Sequence, residues 1–181
     1  MTSLRAVLLD VGNTLVHEEP SRFALYARAA STRGIEIEER AMRSLMVKAH
    51  HALPTEVNGG YRYSDPWFAA YIERIFVGEL GLAAAECPTI TRELFDVFEH
   101  PDTFRLYPGA LELLDDLRAA GLTLGVVSNW SARLPRVLEV LDVARRFDFV
   151  LCSAIERMEK PEARIFQAAL EEPDNQPGRN Q

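Results

Sequence analysis

The chain has 181 residues, of which 48% are hydrophobic, so it can bury one moderate core or a core with a small accessory domain. A formal net charge of -7, without a stripe of Lys and Arg, argues against a nucleic-acid-binding surface. No segment has the length and apolar character of a membrane span or signal peptide, and Cys87 and Cys152 lack metal-ligand spacing. We therefore expect a cytoplasmic protein with free thiols.

The segment that organises the chain is 4–15, LRAVLLDVGNTL, in which an apolar run stops at an acidic residue and a turn. Such a run predicts a buried strand, and the loop at the carboxyl end of a strand is where parallel α/β sheets bind ligands. This places Asp10 at a candidate active edge. The alternative is that Asp10 only caps the turn that follows it.

The segment from Pro20 to His100 predicts helices and no convincing strand. Helical spacing of apolar residues, Pro near the starts and Gly near the ends predict four of them. The predicted helices cover 20–34, 35–53, 64–78 and 89–98. A crossover between parallel strands usually needs about a dozen residues, so this insertion predicts a separate helical unit over 18–104 rather than a connection. The alternative is a helical layer packed permanently on the sheet.

Beyond the helical unit, strands and helices alternate, which predicts an α/β core with a right-handed parallel sheet. The predicted order is a helix over 108–121, a strand over 123–127, a helix over 132–144, a strand over 147–152 and a helix over 165–171. We expect Leu111, Leu114 and Leu117 to be buried on the first helix, and Phe166 and Leu170 on the last. The tail, 172–181, has almost no apolar residue and is predicted to be disordered.

Three stretches, DVGNTL, VVSNW and EKP, place an Asp, a hydroxyl and a Lys at strand exits or helix starts in this order. The ordered set resembles motifs I, II and III of the haloacid dehalogenase superfamily, in its phosphatase-like branch with a helical cap. The resemblance implies a Rossmann-like core formed by 1–17 and 105–171, with an inserted cap over 18–104. The family's two further strands and its acidic fourth motif have no counterpart after 171, so we expect a three-strand, truncated core.

The resemblance implies roles for individual residues. Asp10 would attack phosphorus to form an aspartyl-phosphate, Thr14, Ser128 and Asn129 would bind the phosphoryl group, and Lys160 would offset its charge. Taken singly, Ser128 could instead cap a helix, Lys160 could be a surface residue, and Asn129 could only bond the turn.

A divalent cation is needed because the carboxylate of Asp10 repels a phosphate dianion. Oxygen ligands, here the Asp10 carboxylate and the Gly12 carbonyl, favour Mg2+. Gly12 stands where family phosphatases usually carry a second Asp that transfers protons. Because general acid–base help contributes about 10²–10⁴-fold, we expect slow turnover.

Two classes of function follow. The first is a magnesium-dependent hydrolase of small phosphorylated metabolites that is impaired in this chain. The second is an inactive or partial relative that keeps the fold; a metal-independent haloacid dehalogenase is a lesser alternative, because those enzymes usually carry Tyr at the position of Gly12. Without the further strands, 4–9 would form a sheet edge, so we also expect self-association through it.

Overall fold

The computed structural model describes residues 4–175, and the chain divides into two compact units. The first unit comprises Met1–His17 and Phe104–Gln181, and the second comprises Glu18–Thr103. No helix in the described range is long and apolar enough to cross a bilayer. The six residues 176–181, which belong to the predicted disordered tail, lie outside that range.

The first unit is built on a three-stranded parallel sheet. Its strands are β1 (Ala6–Leu9), β6 (Thr123–Ser128) and β7 (Phe149–Cys152), in the order β1-β6-β7. Residues of β1 pair with β6 from Ala6 opposite Thr123 onward, and β6 pairs with β7. The predicted α/β class with three parallel strands is confirmed.

Helices accompany these strands in the same unit. They are α5 (Ala110–Ala119), α6 (Leu134–Val140), the short α7 (Ser153–Glu156) and α8 (Ala163–Asn175). The helix α6 is shorter at both ends than predicted. The helix α8 extends four residues beyond the predicted end at Glu171, so 172–175 are helical rather than disordered.

The prediction of which side of α8 faces the sheet was wrong by one position. Ile165 and Ala169 are buried in a cluster with Val127, Phe149 and Leu151. Phe166 and Leu170 are 38% and 68% exposed. Both pairs have the same spacing of four residues, so the helical period alone did not decide between them.

The prediction for α5 was partly wrong for a related reason. Leu114 is fully buried, but Leu111 is 38% exposed and Ala110 is buried instead. A small residue that packs closely carries less hydrophobic signal in the sequence than the leucine beside it.

The second unit contains α1 (Arg22–Ser31), α2 (Glu39–Ala52), α3 (Asp65–Glu73) and α4 (Cys87–Glu99), with a π-helical turn over Arg74–Glu79. The hydroxyl of Ser21 accepts from the backbone N–H of Ala24 and so caps α1. The buried core is formed by the third helix and the turn after it, together with residues of the neighbouring helices. It includes Tyr26, Met42, Trp67, Tyr71, Ile72, Ile75, Phe76 and Ile90.

The second unit is not entirely helical, which corrects the prediction. The strands β3 (Glu56–Val57) and β4 (Gly60–Tyr61) pair as an antiparallel hairpin. Asn58 and Gly59 between them have φ angles of 50° and 77°, and Asn-Gly is the strongest sequence signal for such a turn. Two further short strands, β2 (Val16–Glu18) and β5 (Phe104–Leu106), form a ribbon that the sequence pattern did not predict.

Candidate active site

Asp10 and Ser128 meet at the carboxyl edge of the sheet. Asp10 directly follows β1, Ser128 ends β6, and the two strands are parallel neighbours, so their ends lie side by side. The Ser128 hydroxyl donates to Asp10 Oδ1 at 2.8 Å. Ser128 is almost fully buried, whereas Asp10 is only partly buried.

The turn after Asp10 is closed by backbone hydrogen bonds. The Val11 carbonyl accepts from the N–H groups of Thr14, Leu15 and Val16. Asn13 has a φ of 57°, in the left-handed region that Asn tolerates better than most residues. The tight turn brings the Thr14 hydroxyl to 3.4 Å from Asp10 Oδ2, as a long hydrogen bond.

Lys160 reaches the same carboxylate from the loop between α7 and α8. Its Nζ atom lies 2.8 Å from Asp10 Oδ1. Partial burial acts to raise the pKa of Asp10, but hydrogen bonds from Lys160 and Ser128 outweigh it, and the pKa is lower than its ordinary value of 3.8. Asp10 is therefore a carboxylate at neutral pH.

Asn129 contacts the backbone of Lys160 rather than the Asp10 side chain. Its Oδ1 accepts from the Lys160 N–H at 2.8 Å, and its Nδ2 donates to the Lys160 carbonyl at 3.0 Å. These two bonds fix the loop that carries the ammonium group. The structure thus gives Asn129 a backbone contact, in line with one of the two predicted alternatives, and its binding of the phosphoryl group stays a prediction.

The loop after β6 also carries Trp130, which the sequence analysis did not single out. The edge of its indole occupies the space beside Gly12, where a side-chain Cβ would lie 2.8 Å from Cζ3. A glycine next to a candidate nucleophile, with a large aromatic residue in the neighbouring motif, is the signal in the sequence that could have found this contact.

Among the described residues, those near Asp10 offer oxygen donors for a metal ion rather than a cluster of metal-binding side chains. No group of three or more His, Cys, Asp or Glu side chains in that part of the chain is arranged to hold a metal ion. The Asp10 carboxylate and the Gly12 carbonyl are hard oxygen donors. This set suits Mg2+, which commonly uses one or two carboxylates together with substrate phosphate and water.

The chain is similar to known proteins over most of its length. The family description "haloacid dehalogenase-like hydrolase" matches residues 4–179. Human haloacid dehalogenase-like hydrolase domain-containing protein 3 is 31% identical over 172 residues, which cover 92% of this chain and 68% of that protein. Phosphoserine phosphatase of Thermus thermophilus is 29% identical, with 92% of this chain and 75% of that protein covered.

A solved structure also has the same fold. The haloacid dehalogenase-type phosphatase from Thermococcus onnurineus superposes with a TM-score of 0.60 at 22% identity, covering 97% of this chain and 74% of that one. At this identity the likeness supports the fold. The motifs at Asp10, Ser128 and Lys160 lie within the matched range.

Proposed function

The chain belongs to the haloacid dehalogenase-like hydrolase family and is phosphatase-like, and from that premise we propose that it hydrolyses small phosphorylated metabolites in a magnesium-dependent reaction through Asp10. The observation that carries the proposal is the convergence of the Ser128 hydroxyl and the Lys160 ammonium on one Asp10 oxygen. A carboxylate held ionised by a cation and a hydroxyl is prepared to act as a nucleophile.

The residues around Asp10 have distinct tasks in this proposal. Asp10 attacks phosphorus, and its bond to phosphorus forms as the bond from phosphorus to the leaving oxygen breaks. Ser128 and Thr14 transfer their hydroxyl hydrogen bonds from the carboxylate to the phosphoryl oxygens. Lys160 supplies the fixed positive charge that offsets the anionic transition state, and Asn129 holds the Lys160 backbone in place.

Mg2+, held by the Asp10 carboxylate and the Gly12 carbonyl, would neutralise phosphate charge that otherwise repels the nucleophile. Because the described donors include one carboxylate, we expect the ion to bind weakly by itself and more tightly with the substrate phosphate. We assign the choice among metabolites to the helical unit, because the insertion resembles a cap. We assign the protein to the cytoplasm, since both cysteines are free.

The test is hydrolysis of p-nitrophenyl phosphate by the parent chain and by Asp10→Asn, with Mg2+ or with a chelator. The parent should need Mg2+, and Asp10→Asn should lose turnover while its circular dichroism spectrum is unchanged. Asp116→Asn is a matched control, because Asp116 is exposed on α5. Equal rates in chelator and in Mg2+, or full activity of Asp10→Asn, would contradict the proposal. Complete inactivity of the parent would favour the alternative of an inactive relative.

A further inference from the structure

The space beside Gly12 is already filled. A Cβ at this position would lie 2.8 Å from Cζ3 and 3.2 Å from Cε3 of Trp130. Real Cβ atoms essentially never approach other carbons as closely as the first of these distances. The φ angle of Gly12 lies outside the left-handed region, so the obstacle to a side chain is the indole and not the backbone.

Trp130 is held where it is by both its backbone and its ring. Its N–H donates to Ser153 Oγ at 3.1 Å, and its carbonyl accepts from the Ala154 N–H at 3.2 Å and from Cys152 Sγ at 3.0 Å. The indole packs against the Phe104 ring with a centroid distance of 5.9 Å. A side chain at position 12 would therefore require a shift of the indole, which its backbone hydrogen bonds and its contact with Phe104 oppose.

The position matters because it adjoins the nucleophile. Within the described residues, the side chains that bond the Asp10 carboxylate are Thr14, Ser128 and Lys160. None of them is a carboxylic acid or an imidazole, the groups best suited to give a proton to a leaving oxygen near neutral pH. With position 12 closed to a side chain, none of the side chains that bond Asp10 offers such a proton, so leaving groups that depart readily as anions are favoured.

Leaving groups differ widely in how readily they depart from phosphorus as anions. An alkoxide is nearly as basic as hydroxide, so its conjugate acid has a pKa far above those of the other leaving groups considered. A phenolate corresponds to a pKa of about 10 and a carboxylate to about 4. A phosphate leaving group corresponds to a pKa of about 6. A site without a proton donor therefore slows the departure of an alkoxide far more than that of a phenolate, a carboxylate or a phosphate.

We propose that Trp130 determines the substrate class of this site, because it excludes a proton-transferring side chain from position 12. The chain then acts on acyl phosphates, phosphoanhydrides and aryl phosphates rather than on alkyl phosphates. The inference rests on the proposed phosphatase function. As the leaving oxygen separates from phosphorus it keeps the bonding electron pair and needs no proton. Water then attacks phosphorus as the bond from phosphorus to the Asp10 oxygen breaks and the carboxylate is released; one proton of the water stays on the phosphate product as its hydroxyl, and the other binds a phosphate oxygen or passes to solvent.

The first experiment measures kcat/KM with Mg2+ for p-nitrophenyl phosphate, phenyl phosphate and ethyl phosphate. The parent should lose at least about a hundredfold between the first and the last. In Gly12→Asp/Trp130→Gly, where a carboxylate has room, this ratio should shrink by about a hundredfold. Trp130→Gly alone is the matched control and should keep the steep dependence. Similar rates on all three esters in the parent, or an unchanged ratio in the double variant, would overturn the proposal.

A second experiment needs no turnover. Gly12→Ala should lower the thermal midpoint of the parent by about 2–10 °C, and should lower it much less in a Trp130→Val background. Equal shifts in the two backgrounds would show that the indole does not exclude the side chain, and would overturn the proposal. If none of the esters is hydrolysed, the phosphatase function itself fails, while this pair of measurements still decides whether Trp130 closes position 12.

Discussion

At the residue scale, the contact between Lys160 and Asp10 governs the protonation state of the nucleophile. The ammonium lies 2.8 Å from the carboxylate and, with Ser128, lowers the pKa of Asp10 despite the partial burial that acts to raise it. A carboxylate with a lowered pKa stabilises the folded state above its unfolded pKa, and this contribution is lost as the pH falls through the folded value.

Lys160→Met should therefore change both activity and pH dependence. Losing the fixed charge should reduce kcat by about 10²–10³-fold. The pKa of Asp10 should rise, so the acidic limb of the pH–rate profile should move to higher pH. In metal-free buffer, the variant should lose less of its stability than the parent between pH 7 and pH 3, as measured by urea unfolding. Lys160→Arg, which keeps the charge, is the control, and an unshifted acidic limb in Lys160→Met would contradict the assignment.

The sequence was sufficient to identify which residues converge on Asp10 but not what each of them contacts. The ordered motifs and their resemblance to those of a known family predicted that Asp10, Ser128 and Lys160 are neighbours. For Asp10 and Ser128 the physical reason is that parallel strands bring their carboxyl ends to one edge. The role of Asn129 depends on a side chain that reaches the backbone of Lys160, 31 positions further along the chain. The contact between Gly12 and Trp130 depends on the rotamer of the indole. The Asn129 contact has no sequence pattern of its own, and the Gly12 contact is indicated only by a glycine beside the candidate nucleophile with an aromatic residue in the next motif.

At the element scale, the packing of the sheet depends on the absence of a side chain at Gly125. Gly125 in β6 pairs with Phe149 in β7, and a Cβ on Gly125 would lie 2.1 Å from Cζ of that ring. The phenyl ring thus covers the glycine, and the packing of α8 against β6 and β7 depends on this arrangement. Glycine in a strand often marks such a close approach.

Gly125→Ala should destabilise the chain by about 1–3 kcal/mol or more, because neither the strand backbone nor the buried ring can move freely. Gly78→Ala is the matched control: it lies in a helical turn, and its added methyl would meet only Arg74 Cδ at an ordinary 3.5 Å. That substitution should stabilise by up to about 1 kcal/mol. Urea unfolding of the two variants checks both signs, and equal effects would contradict this view of the packing.

The sequence-based predictions of helix faces and short strands failed where the periodicity of apolar residues carries too little information. The helices were predicted from periodicity, yet α8 turned out to bury Ile165 and Ala169 in preference to the larger side chains next to them. The hairpin at Asn58-Gly59 has strands of only two residues each, too short to show alternation. Turn chemistry, rather than periodicity, was the informative signal there.

At the scale of the whole molecule, the sheet of the first unit ends in a strand that is only partly buried. Among the described residues β1 is an end strand of the sheet, and all four of its apolar residues are only partly buried. Leu4, just before it, is 71% exposed. An edge strand with free N–H and C=O groups is a template for pairing with another chain, so we propose that the 181-residue chain self-associates through β1.

Light scattering across a concentration series tests this proposal. The average mass should rise with concentration, and Leu4→Lys should reduce the rise, since a charge beside an edge strand opposes pairing. Leu170→Lys is the control, because Leu170 is equally exposed but lies on α8. A monomer at every concentration would contradict the proposal, as would a larger effect of Leu170→Lys than of Leu4→Lys.

The most direct test of the central claim is to trap the phosphorylated chain. Because no acid–base side chain stands at Gly12, the second step should be slow and an aspartyl-phosphate should accumulate. After incubation with p-nitrophenyl phosphate and Mg2+ and an acid quench, mass spectrometry should find one phosphoryl group on the peptide that contains Asp10, removable by hydroxylamine and missing from Asp10→Asn. Turnover with Asp10 unmodified at every quench time, or a phosphoryl group on another residue, would contradict the account.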